Sequence, residues 1–371
     1  MKIIYLISRA RISGPVNQGL NILTGIKLNG KINAALVTLA PENPKNSWLN
    51  KYKEEGIEVF TLNIPLWKTF FCLSKVKNLL LDNKIDVIHS SGFRANFVSA
   101  CLSKRYIKIS TQRSAPRDIG EKFPKIIQPI LTKLYLSILR RMDVNVACSK
   151  SLGHVFLTQH NMSIPYVQNG VNTDYFLKAS EDSKMKLRSD LKINPRNKTF
   201  LILGSLRDRK NNQMAIRVFN QLSNYDCQLL IVGDGPERSM LKSLAKNPKI
   251  MFMGSTNSPI DYLQASDYLI SCSKAEGLPN TVLEALSCGL PCLLSDIEPH
   301  RELIGNTKVG CLFSLNSDEE LLTSVKNALN WSDDMGDEAR NLAIEKYDRK
   351  IIARNYERIY QEEMRRRNKS N

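Results

Sequence analysis

Residues 268–294 read YLIS-CSKAEG-LPNTVLEALSCGL-PCLL. A short apolar run ending in Ser271, a polar turn, an amphipathic stretch and a second apolar run make one β-α-β unit. The helix is expected to open at Pro279, because a proline in the first turn forfeits no hydrogen bond. Glu276 then stands on the turn, and Glu284 lies about one and a half turns into the helix.

The same alternation extends to both sides. Residues 199–203 (TFLIL), 228–232 (QLLIV) and 250–253 (IMFM) precede the unit as further strands. An earlier set runs through 3–7 (IIYLI), 35–39 (ALVTL), 57–62 (IEVFTL), 85–89 (IDVIH), 107–111 (IKIST) and 144–148 (VNVAC). Amphipathic segments such as Leu20–Leu28, Lys75–Leu81 and Phe97–Leu102 separate them. Short Ile- and Val-rich runs without polar alternation are buried parallel strands covered by helices on both faces. The fold class is α/β, with two Rossmann-like β/α/β domains facing across a cleft.

The boundary is expected near Asn169, where 169–198 carries Asn169-Gly170 and the charged run Glu181–Arg188. That gives domains at 1–168 and 169–349. In the last segment, Ile351, Ile352, Tyr356, Ile359 and Tyr360 recur at helical spacing. A helix at about 350–367 is expected to pack back on the first domain, with the polar residues 365–371 frayed.

The 371 residues carry a net charge of +17. Residues 1–168 hold 24 basic and 9 acidic residues, and 169–371 hold 29 and 27. The first domain is therefore built to meet something anionic. From Lys104 to Arg141 there are ten basic residues and two acidic ones. That stretch contains the apolar segment from Phe123 to Arg141, which reads as an interfacial helix on an anionic membrane surface. Nucleic acid is excluded as the partner because no recognisable binding motif accompanies the charge. No stretch is long and apolar enough to span a membrane. Eight cysteines without a C-x-x-C pair, and no signal peptide, indicate reduced thiols in the cytoplasm. A dinucleotide dehydrogenase is disfavoured, because neither half offers G-x-G-x-x-G.

Glu276 and Glu284 flank Gly277, Leu278, Pro279 and Asn280. Exposed backbone N–H groups at that turn, with the helix start behind them, suit a diphosphate. The surrounding run Ala275–Cys292 resembles that of retaining glycosyltransferases of family 4. These are group 1 glycosyltransferases with the GT-B fold, here of the bacterial polysaccharide-assembly type. The resemblance spans nearly the whole chain and is strongest from Phe200 to Leu303.

It implies that Glu276 holds the hydroxyls of a donor sugar and Glu284 the ribose diol, with the intervening backbone on the phosphates. In Leu203-Gly-Ser-Leu-Arg-Asp-Arg-Lys-Asn211, Gly204 and Lys210 match the family pattern, while Ser205 replaces its Arg. Arg207 is taken as the replacement charge, ahead of Arg209. Two fixed cations would stabilise the charge that grows on a departing nucleoside diphosphate. Gly233, in Ile231-Val-Gly-Asp-Gly-Pro-Glu237, and Gly254, after Phe252-Met, match segments that border the nucleotide. In the first domain the resemblance assigns Gly14, His89, Arg113 and Asn169 to the acceptor side of the cleft. Arg113 stands where the family often has a His.

The implied activity is transfer of a sugar from a nucleotide-sugar, a UDP-sugar above all, with retention. The acceptor is a polyprenyl-diphosphate-linked or other glycan in capsule, O-antigen or exopolysaccharide assembly. No metal or other cofactor is expected, since no clustered Asp-x-Asp is available and cations take that role. The place implied is the inner face of the cell membrane, peripherally attached. A GT-B sugar-nucleotide epimerase and a non-catalytic glycan- or lipid-binding relative are the alternatives.

Overall fold

Strand β1 (Lys2–Ile7) alternates its side chains between two cores. Ile3, Tyr5 and Ile7 join one core with Leu20, Leu23, Tyr356 and Tyr360. Ile4 and Leu6 join another with Val76, Leu80, Ala95 and Val98. Both faces are covered, which is why the strand reads as continuously apolar.

The computed structural model describes residues 1–120 and 124–370. Phe123, the first residue of the basic apolar segment, and Asn371 lie outside them. The chain forms two units. Unit 1 comprises Met1–Gly170 with the residues from Arg349 onward, and unit 2 is Val171–Asp348. Each has its own core.

In unit 1, β1 is followed by β2 (Asn33–Thr38), β3 (Glu58–Thr61), β4 (Val87–Ser91), β5 (Ile107–Gln112) and β6 (Val144–Ala147). The order is β3-β2-β1-β4-β5-β6, with every pair parallel. Unit 2 has β7 (Lys198–Leu203), β8 (Cys227–Val232), β9 (Ile250–Gly254), β10 (Tyr268–Ser271), β11 (Cys292–Ser295) and β12 (Gly310–Phe313). Its order is β12-β11-β10-β7-β8-β9, again all parallel. Both sheets are doubly wound, and each reverses direction at one point: β1/β4 in unit 1 and β7/β10 in unit 2. Ligands of such sheets bind at the carboxyl ends of the strands beside that reversal.

The C-terminal helix, Arg349–Ser370, packs on the helix Gly14–Asn29. A side chain at Gly25 would meet the Arg349 backbone and the Ala353 Cβ, so the two helices touch backbone to backbone. The polar tail expected to fray is helical to Ser370. Arg367 ties it down, donating to the Arg105 carbonyl at 2.6 Å.

The helix Gln128–Leu139 lies in the segment read as interfacial and divides its apolar residues between core and surface. Tyr135, Leu136, Ile138 and Leu139 are buried in unit 1. The exposed apolar residues are Ile126, Ile127, Ile130 and Leu134, toward the amino end. Arg140 and Arg141 follow the carboxyl end of the helix and are exposed. Among the described residues no helix is long and apolar enough to cross a membrane. All eight cysteines are free.

Candidate active site

Two loops of unit 2 flank the β7/β10 reversal. One follows β7 and turns through Asp208–Lys210. The other follows β10 and leads into the helix Asn280–Ser287, whose N-cap is Pro279. Lys274 N donates to the Arg209 carbonyl at 2.9 Å, and Lys274 Nζ reaches Asp208 at 2.7 Å. The loops are thereby joined.

At their meeting point Lys210 Nζ lies 2.6 Å from Glu276 Oε1. Ser273 Oγ donates to the same oxygen at 2.7 Å. The Glu276 side chain is 8% exposed, so the pair is largely withdrawn from water. Burial alone would push the Glu276 carboxyl up. Lys210, Ser273 and Arg209 together outweigh it and hold the group below the usual glutamate range.

Ser273 is itself fixed from behind. Ser295 Oγ donates to the Ser273 carbonyl at 2.6 Å, and His300 Nδ1 donates to the Ser295 carbonyl at 2.8 Å. Buried His300 is held neutral, chiefly by desolvation. A narrow cavity beside the pair is lined by Gly204, Ser205, Lys210, Asn212, Ser273 and Pro279.

The carboxyl ends of β7, β8 and β9 carry Gly204, Gly233 and Gly254. Gly204 N donates to Val232 O at 2.9 Å, and Gly233 N to Gly254 O at 2.7 Å. Gly233 has φ 141°, and a Cβ there would collide with the Gly204 carbonyl. Only glycine lets these loops approach so closely. Gly277 and Asn280 are half-buried, Leu278 and Pro279 are buried, and Glu284 is half-buried one turn beyond them. Arg207 is exposed. The arginine whose charge acts on Glu276 is Arg209. Sequence reasoning passed over Ser273 and Ser295, ranked Arg209 behind Arg207, and gave His300 no part in the site. Their spacing carries no signal until β10 and β11 lie side by side.

Unit 1 brings together part of its assigned set. Arg113 Nη1 donates to Asn169 Oδ1 at 2.6 Å. Its Nε and Nη2 are buried and have no partner among the described residues. Gly14 is exposed at the start of its helix, directly after the β1 loop. His89 is corrected: it does not line a surface. It is 0% exposed, with Nδ1 2.7 Å from Tyr360 Oη and Nε2 2.7 Å from Thr111 Oγ1. Burial first, then the nearby Arg113 charge, lowers it to about 3. It is a core residue beneath Arg113.

A sequence profile described as "Glycosyl transferases group 1" matches residues 183–349, and one described as "Glycosyltransferase Family 4" matches 35–175. The chain is a GT-B glycosyltransferase. The glycosyltransferase is 26% identical to N-acetyl-alpha-D-glucosaminyl L-malate synthase of Bacillus anthracis, over 79% of this chain and 78% of that one. It is 24% identical to the UDP-Gal:alpha-D-GlcNAc-diphosphoundecaprenol alpha-1,3-galactosyltransferase of Escherichia coli, over 75% and 76% of the two chains. Its fold matches that of Anabaena HepE, solved in complex with UDP-glucose, with a TM-score of 0.80 at 18% identity. That match covers 98% of this chain and all of the other.

Proposed function

We propose that this glycosyltransferase moves a sugar from a UDP-sugar, with retention, onto a lipid-linked or oligosaccharide acceptor in bacterial surface polysaccharide assembly. The observation that carries the reading is the Lys210–Glu276 pair, held by two joined loops at the sheet reversal of unit 2. Both charges are preformed where a diphosphate and its sugar would meet. Relatives that act on nucleotide-sugars and undecaprenyl-diphosphate-linked acceptors support the donor and acceptor classes.

In this reading Glu276 accepts hydrogen bonds from the donor sugar's hydroxyls. Glu284 accepts them from the ribose diol. The Gly277–Asn280 backbone and the loops at Gly204, Ser205, Gly233 and Gly254 border the nucleotide. Lys210, with Arg209 or Arg207, neutralises the departing diphosphate, so that no metal is needed. Gly14, Arg113 and Asn169 serve the acceptor side, where Arg113 Nη1 holds the Asn169 side chain at 2.6 Å.

Peripheral attachment to the inner face of the cell membrane completes the proposal. The basic first 168 residues support it, as do Leu66, Trp67, Phe70 and Phe71, all exposed in one short stretch. Lys68 Nζ sits 4.5 Å over the Trp67 ring.

The test is a screen of UDP-, GDP-, ADP- and TDP-sugars for thermal stabilisation, followed by product analysis with a lipid-linked acceptor. Stabilisation by a UDP-sugar and an α-linked product from an α-donor support the reading. A C2-epimerised donor formed without acceptor would establish the epimerase instead. Binding without turnover would establish a non-catalytic relative.

A further inference from the structure

Unit 1 has a recess of about 800 Å³ at the amino ends of β5 and β6. This is the sheet edge opposite the one at which ligands of doubly wound folds bind. Lys104, Lys108, Arg140, Arg141 and Arg367 line it, with Asp143 the single acid among its lining residues. The cations arrive from the loop before β5, from β5 itself, from the end of Gln128–Leu139 and from the C-terminal helix. A solvated charge run comes from one segment, whereas this convergence is produced by the fold.

Lys108 is the most telling member. It is 4% exposed, and its Nζ donates to the Leu102 carbonyl at 2.5 Å. Burial lowers its amine; Asp143 opposes the shift, and Arg141 and Arg367 add to it. Asp143 is already engaged, accepting from Lys108 N at 2.7 Å and facing Arg367 at 3.4 Å. Arg140 and Arg141 are exposed and make no ion pair among the described residues. Five cations around one carboxylate repel one another, and a tetrahedral oxyanion would relieve that repulsion through forked guanidinium contacts.

We propose that this recess is a phosphate-binding site, taking the phosphate of a lipid headgroup or of a soluble phosphate compound. The proposal does not depend on the donor-site reading, since none of these side chains belongs to the unit 2 site; its headgroup arm deepens the membrane-attachment reading and its free-phosphate arm stands apart from it.

Cys101 lines the recess and is an exposed thiol, so its alkylation reports occupancy. The full chain is treated with iodoacetamide with and without inorganic phosphate, and Cys101 modification is read by mass spectrometry. In parallel it is sedimented with phosphatidylcholine vesicles with and without phosphatidic acid. Phosphate should slow Cys101 alkylation, or phosphatidic acid should recruit the protein, and Arg140→Gln/Arg141→Gln should weaken that response about tenfold. Protection by free phosphate without vesicle binding assigns a soluble ligand, and vesicle binding without protection assigns a headgroup. Lys75→Gln/Lys77→Gln removes the same charge elsewhere in unit 1 and should leave the response intact. Should the arginine variant lose its cooperative melt, Lys104→Gln, an exposed substitution, repeats the test. The proposal is overturned if neither phosphate source gives a response. It is overturned equally if the arginine variant responds as the unmodified chain does, or if both double variants lose the same amount.

Discussion

Lys210 and Glu276 meet at 2.6 Å although 66 residues separate them. Each comes from a loop flanking the same sheet reversal, and each compensates the other before any ligand arrives. A donor diphosphate would compete for the lysine, so the pair must loosen as charge grows on the leaving group.

Lys210→Ala should therefore lower kcat more than it raises donor KM. The loss should be about 10²–10³ in kcat, the range for removing one preorganised donor to a developing charge. Steady-state kinetics with a UDP-sugar decide this, and an unchanged kcat would place the lysine outside the reaction. Arg209→Ala should cost more turnover than Arg207→Ala, since Arg209 acts on Glu276.

Glu284→Ala should weaken UDP binding by about 1.5–3 kcal/mol, the value of a hydrogen bond to a charged group. Calorimetric titration with UDP measures it. Equal affinity in the variant would remove the ribose role.

His89 makes stability depend on pH in a defined direction. Its folded-state value is about 3 against 6.5 for a free side chain. The unfolded chain binds the proton first, so stability is full above 6.5 and declines as pH falls from 6.5 toward 3. His300, also held neutral, acts in the same direction in unit 2. Denaturant titrations across this window should show the decline, and His89→Gln should flatten the part that belongs to unit 1.

Tyr360→Phe removes the hydroxyl 2.7 Å from His89 Nδ1 and leaves a buried nitrogen unpaired. The expected cost is about 1–3 kcal/mol of unit 1 stability, measured by chemical denaturation. An unchanged midpoint would mean that the core tolerates the lost partner.

Much of this architecture is legible in the residues because parallel strands buried on both faces announce themselves as apolar runs. Eleven of the twelve strands lie within the runs at 3–7 through 291–294, to within a few residues. The exception is β12, four residues at an edge, where GCLF is too short to stand out. The site was legible only in part. Glu276 and Lys210 sit in recognisable turns, but Ser273 and Ser295 gain meaning only when β10 and β11 are neighbours. His89 follows the opposite logic. The family resemblance puts it on the acceptor side of the cleft, whereas Tyr356 and Tyr360 arrive from the far terminus and pack against it in the core.

That arrival has a consequence for biosynthesis. Unit 1 is discontinuous: the chain leaves it after Gly170 and re-enters at Arg349. On the ribosome, the first 170 residues emerge with a gap in their core where Tyr356 and Tyr360 belong. Unit 2 is a single continuous stretch and can finish first. The half that is made earliest is therefore the last to become native. Until the final helix is released, that half exposes an apolar groove and is the stage at which the nascent protein most needs a chaperone.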